Sequence, residues 1–178
     1  GFGLVYMTGI GAPHAVAIVE DLISLGCREF LNIGSAGGLK NFGIYLCEKA
    51  LRDEGTSYHY LPDSEFAFPD KELTERFERK FIEENLKYER GATWTTDAPY
   101  RETISEVKTY REMGIRTVDM EASALFALGE FRKVKVAAAF AVSDLLGENK
   151  WEPQFHSKEV KANLNSLVDM AVACFNQM

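Results

Sequence analysis

Positive charge and cysteine are both scarce in this chain, and each scarcity removes a class of function. Lys and Arg number 20 against 27 Asp and Glu, a formal net charge of -7. A broad surface for nucleic acid or anionic lipid is therefore disfavoured, because such surfaces neutralise phosphates with clustered cations. A small local anion pocket is still allowed. The 3 cysteines, Cys27, Cys47 and Cys174, are odd in number, widely spaced and set among apolar neighbours. That argues against a disulfide framework or a paired-thiol zinc site and fits a reducing cytoplasm. No apolar run reaches the roughly 18 residues that span a bilayer, and no charged-then-apolar signal segment opens the sequence. Neither the dinucleotide fingerprint nor the lysine-bearing phosphate loop occurs, so cofactors held by those devices are disfavoured.

What is present is a chain of 178 residues with 46% hydrophobic composition, enough for one substantial core and too little to require two. Residues 1–178 are read as a single domain. Val5 to Thr8 reads as a short strand that breaks at Gly9-Ile10-Gly11, and the apolar residues Ala15 to Leu25 then recur at helical spacing. Glu29 to Ile33 reads as a second strand, broken by the glycine turn Gly34-Ser35-Ala36-Gly37-Gly38. Further strands are expected at Ile44 to Ala50, Tyr88 to Thr96, Ile115 to Val118 and Val134 to Val142, the last an apolar run, broken only by Lys135, of the kind buried on both faces. Helices are expected at Glu72 to Leu86, Glu102 to Met113, Met120 to Phe131 and His156 to Phe175, with a long irregular excursion over Arg52 to Pro69. This alternation predicts an α/β fold in which ligand-binding turns gather at the carboxyl ends of strands.

Four places hold residues that suit chemistry. Glycine turns after strands let backbone N–H groups approach an anion, although the same glycines also serve simply to turn a chain. Asp119-Met120-Glu121 stands at a strand-to-helix junction. There a carboxylate can accept from a sugar diol and a thioether can lie under a sugar or base, while capping of the helix accounts for the same spacing. Ser143-Asp144 follows the most apolar strand, where a desolvated carboxyl can hold a proton and act as a general acid. Trp94 to Arg101 gathers aromatics, hydroxyls, an acid and a guanidinium in one strand-end loop, a composition suited to a flat base. His59 has no second His or Cys at metal spacing, so a structural imidazole is expected there.

Taken in order, Thr8-Gly9-Ile10-Gly11, Asn32 to Gly38, Asp53 to His59, Thr95-Thr96-Asp97, Val118 to Ala122 and Ser143-Asp144 resemble the family of purine nucleoside phosphorylases, uridine phosphorylases and methylthioadenosine nucleosidases. The resemblance implies a three-layer phosphorylase/hydrolase-like fold, with a mixed, largely parallel central sheet flanked by helices. It also implies a pentosyltransferase that binds a nucleoside and phosphate, the phosphate a co-substrate, with no metal or organic cofactor. By position, Met120 and Glu121 correspond to the ribose clamp, with Asp119 where a Glu is common. Gly34, Ser35, Ala36 and Gly37 correspond to the phosphate and nucleophile turn, and Asp144 to the acid that assists a departing purine. Thr95, Thr96, Tyr100 and Arg101 correspond to the base loop. Asn32 stands where phosphorolytic members usually carry an Arg, and the hydrolytic members resemble this chain at that turn. The family's first strand and phosphate loop would precede Gly1. The implied activity is phosphorolysis with purines slightly favoured. Its alternatives are hydrolysis, a uridine phosphorylase activity, or nucleoside binding without catalysis. The implied assembly is a cytoplasmic homo-oligomer, a dimer or a trimer of dimers.

Overall fold

In the computed structural model, which describes residues 1–6, 9–147 and 150–176, the apolar run ending at Val142 becomes the first two thirds of a 12-residue strand, β6 (Lys135–Leu146). Its alternation builds the layers. Val136, Ala138 and Phe140 face one apolar cluster, shared with helices α1 (Ala12–Ser24) and α4 (Ala122–Arg132). Ala137, Ala139 and Ala141 face the other, shared with α2 (Lys71–Glu83) and α5 (Lys158–Phe175). Small residues on both faces of β6 let helices approach from each side, which makes the sheet the middle of three layers. A third cluster, centred on the fully buried Trp94, seats α3 (Ile104–Glu112).

The other strands are β1 (Glu29–Gly38), β2 (Ile44–Asp53), β3 (Phe66–Ala67), β4 (Glu89–Thr96), β5 (Ile115–Asp119) and β7 (Trp151–Pro153). They form one mixed sheet in the order β3-β2-β4-β5-β1-β6-β7, and β2 also pairs with β6, so five of the strands close on themselves. The long ladders, β1 with β6, β2 with β4 and β4 with β5, are parallel. The short contacts that close the sheet, β1 with β5 and β2 with β6, are antiparallel. Helix starts carry the expected oxygen acceptors: Asp70 accepts from Leu73 N–H at 2.8 Å, Ser157 accepts from Val160 N–H at 3.1 Å, and Thr103 with Glu106 forms a reciprocal capping box.

Several expectations need correction. The strand expected at Val5 to Thr8 does not form over its described residues. Gly1 to Tyr6 is exposed and without regular structure, because no ladder takes up its backbone groups, and Met7 and Thr8 lie outside the described residues. The Gly34 to Gly38 segment is not a turn but the end of β1, hydrogen-bonded to β6 throughout. Asp144 likewise lies inside β6 rather than beyond it. The excursion after Arg52 contains a 3-10 turn at Ser57–His59 and the two-residue strand β3. Strand β7 had no signal in the periodicity. Cys47 and Cys174 are buried, but Cys27 is exposed, and all three are free thiols.

Candidate active site

Strand β1 runs alongside β6 and crosses β5 head-on near the carboxyl ends of both, with Gly37 opposite Val118 and Gly38 opposite Thr117. A bulge between Ala36 and Gly37 brings Gly37 opposite Asp144 of β6, and Thr95 of β4 lies opposite Asp119 of β5. The carboxyl ends of four strands thus meet at one rim. Glycine is required at the crossing for space: a Cβ on Gly37 would come within 2.8 Å of Val118 Cγ1 and 3.5 Å of Asp144 Oδ2.

At that rim the two carboxylates of Asp119-Met120-Glu121 divide their work. Asp119 is buried, and its Oδ2 accepts from the backbone N–H groups of Ala122 at 2.6 Å and Glu121 at 2.9 Å. Its Oδ1 accepts from the hydroxyls of Thr95 at 2.8 Å and Thr93 at 3.1 Å. Asp119 therefore closes the start of α4 and ties it to β4, under the site rather than facing it. Burial raises its carboxyl from 3.8 to about 6, with the backbone and Thr95 bonds opposing that rise. Glu121, at the N-cap position of α4, makes no capping bond of its own. Its half-buried carboxylate accepts at Oε1 from Gly11 N–H at 2.6 Å. Burial pushes its carboxyl up, and the backbone N–H groups of Gly11 and Met120 act against that. Met120 beside it is half-buried.

Asp144 is buried and held from both sides: Ser143 Oγ donates to Oδ1 and the Trp151 indole N–H donates to Oδ2, each at 2.8 Å. Glu102 stands near enough to feel its charge. Burial first, then Asp144 and Glu106, push the Glu102 carboxyl up to about 7. The rim can therefore supply an oriented acceptor (Glu121), a carboxyl between donors (Asp144) and a second acid at neutral pH (Glu102).

The remaining predicted residues are spread more widely. Ser35 is exposed on β1, with Gly34 half-buried and Ala36 and Gly37 buried beside it. Asn32 lies three places earlier and lines a cavity of about 390 Å³, bounded by Phe2 to Tyr6, α1 and α5 and largely apolar. Thr95 is fully buried, donating to Asp119 and accepting from Ser123 N–H at 3.1 Å, and Thr96 is buried with its hydroxyl accepting from Ala98 N–H at 3.2 Å. Both threonines support the loop from beneath. Tyr100 is 99% exposed and Arg101 is exposed beside it on the 3-10 turn Pro99–Arg101, so neither is gathered into the rim.

Sequence reasoning missed Gly11 as the partner of Glu121, together with Glu102, Trp151 and Glu54. Buried Glu54 accepts from Ser123 Oγ at 2.8 Å and from Thr56 N–H at 2.5 Å, and so joins the Asp53 to His59 segment to α4. The acid-rich Asp53-Glu54-Gly55 run could have flagged Glu54; nothing local flagged Trp151.

Comparison with known proteins bears on the family and the fold. The chain is 29% identical over 153 residues to the uridine phosphorylase of Treponema pallidum, covering 78% of this chain and 59% of that protein. It is 25% identical over 171 residues to a DeoD-type purine nucleoside phosphorylase of Bacillus cereus, covering 93% of this chain and 72% of that protein. The fold superposes on the crystal structure of the purine nucleoside phosphorylase from Toxoplasma gondii in complex with immucillin-H with a TM-score of 0.86, at 20% identity, over 96% of this chain and 72% of that one. The sequence pattern of the phosphorylase superfamily matches residues 4–173, and the chain belongs to that family.

Proposed function

We propose that the full-length protein cleaves the N-glycosidic bond of a purine nucleoside with phosphate. The bond from the anomeric carbon to the base nitrogen breaks, a phosphate oxygen bonds to that carbon to give ribose 1-phosphate, and the base leaves with a proton. The observation that carries this reading is the state of Glu121. One of its oxygens is fixed by the Gly11 N–H, and the carboxylate stays half-buried beside Met120, free of helix capping and on the rim that also holds Asp144. A carboxylate so oriented suits a ribose diol, which must be held while the sugar becomes cationic. Asp144 then assists the base, and the exposed Ser35 hydroxyl faces the incoming nucleophile with the glycine backbone beside it.

Hydrolysis is the second reading, and Asn32 is the observation that favours it. A neutral amide offers a phosphate dianion a weaker bond than a guanidinium does, by about a factor of two. The experiment is base release from inosine, adenosine and uridine by the full-length protein, with and without phosphate. Release that rises with millimolar phosphate and yields ribose 1-phosphate is expected. Phosphate-independent release with free ribose as product would replace phosphorolysis by hydrolysis, and preference for uridine would remove the purine assignment. Binding of nucleoside without any release would leave a nucleoside-binding protein.

A further inference from the structure

Beyond Asp144, strand β6 continues to Leu146, and β7 returns antiparallel to it, with Leu146 opposite Trp151 and Asp144 opposite Pro153. The return is anchored by Gln154 N–H donating to the Ser143 carbonyl at 2.8 Å. It sets Trp151 over the acid. Trp151 is 54% exposed, its ring tilts against Phe155 with centroids 5.8 Å apart, and its N–H donates to Asp144. An aromatic side chain of that size left half in water gains little from burial, so packing alone does not account for where it sits.

We infer that Trp151 is a positioning residue that occupies the base-facing oxygen of Asp144 in the empty site and yields it to the nucleobase. This rests on the reading of Asp144 given above. The chemistry follows from the donor inventory. An indole N–H can only donate, so the oxygen it faces is held as an acceptor, and no proton for a departing base can sit there until the indole moves away. Ser143 engages the other oxygen, which leaves Oδ2 as the one exchanged. Glu102 approaches from the turn before α3 with like charge, and Arg111 of α3 donates to the backbone carbonyls of Leu39 and Leu146. The base, a flat donor and acceptor, replaces the bond that Trp151 gives up, and the freed ring stays within reach to stack on it.

The test uses full-length protein labelled with ¹⁵N at tryptophan, the Trp151 indole resonance being assigned by its loss in Trp151→Phe. Adding hypoxanthine should move that resonance, and Asp144→Asn should move it without ligand. Trp151→Phe keeps a ring and removes the donor, so KM for inosine should fall by about tenfold, the size of one hydrogen bond to a charged group, with kcat changed much less. A residue that only supported the hairpin would raise KM or lower kcat instead. An indole resonance unmoved by saturating hypoxanthine, or a KM for Trp151→Phe equal to or above that of the wild type, overturns the inference. Failure of the Asp144 reading shows separately, as wild-type turnover of inosine by Asp144→Asn.

Discussion

Replacing Asp119 by Asn separates the two things its carboxyl does, filling space under α4 and carrying a charge there. The amide keeps the shape. Its oxygen can still take the N–H groups of Glu121 and Ala122, while its NH₂ turns to Thr93 and Thr95, whose hydroxyls can rotate to accept. At pH 4.5, where the folded carboxyl is protonated, rearranging four bonds around the amide then costs about 1–2 kcal/mol. Ala in the same place strands two backbone donors and two hydroxyls in the interior, and about 3–5 kcal/mol is expected. The Asn penalty should itself depend on pH. In the fold, burial raises Asp119 from 3.8 to about 6, so between those values the folded protein binds more protons at this position than the unfolded chain. Stability from this carboxyl is therefore complete below pH 4 and is lost as pH rises through 6. Asn has nothing to titrate, so the wild type's advantage over Asp119→Asn should shrink by about 2 kcal/mol between pH 4.5 and pH 7.5. Urea unfolding of both proteins at the two pH values measures this, and other carboxylates cancel in the difference. A gap that stays constant, or widens as pH rises, would refute the placement of Asp119 as a buried carboxyl.

Three further perturbations follow from the same geometry. Glu121→Ala should lower kcat/KM for ribonucleosides ten- to a hundredfold, the equivalent of one charge-assisted bond, and leave the melting temperature nearly unchanged because Glu121 does not cap α4; a mutant that loses stability and keeps activity would reverse that assignment. Glu102→Gln should match the wild type at pH 5 and melt about 2–4 °C higher at pH 8, since a carboxyl raised to about 7 weakens the fold once ionised. Equal melting temperatures at both pH values would mean that Glu102 is solvated. Gly37→Ala should cost about 1–3 kcal/mol by forcing a methyl against Val118, 2.8 Å away, and should reduce turnover as well, because Asp144 lies on the same side. Unchanged stability in thermal unfolding would count against the tight crossing of β1 and β5.

The helices and long strands were legible in the sequence because their signals are local. Val136 to Val142 is apolar without interruption, and the apolar stripe marks α5 within one turn. The segment Gly34 to Gly38 was not legible as strand. Glycine clusters signal turns when read locally, whereas here they answer to side chains of β5 and β6 more than 70 residues away in sequence. Val5 and Tyr6 show the converse. Their composition suits a strand, but a strand also needs a neighbour, and β1 offers its ladder to β6 and, at its end, to β5. Trp151 and Gly11 escaped for the same reason, since each acts through one bond to a residue on another element.

Most informative is the junction Asp119-Met120-Glu121, where sequence spacing alone favoured capping over sugar binding for the same residues. The geometry gives the capping to Asp119 and leaves Glu121 without it, as the proposed ribose role requires. A helix start presents backbone N–H groups that need acceptors, and any nearby carboxylate competes to supply them. Asp119, at the end of β5, satisfies two from below, so Glu121 is relieved of that task although it occupies the N-cap position itself. Gly11, at the start of α1, then takes one Glu121 oxygen and fixes its direction with a backbone donor that no side-chain change can remove. The glycine turn before α1 and the acid after β5 are therefore one device, built from segments more than 100 residues apart. The device predicts an order of sensitivity. Substitution at Asp119 should act on stability first and on activity through the shift it gives α4, whereas substitution at Glu121 should act on activity alone.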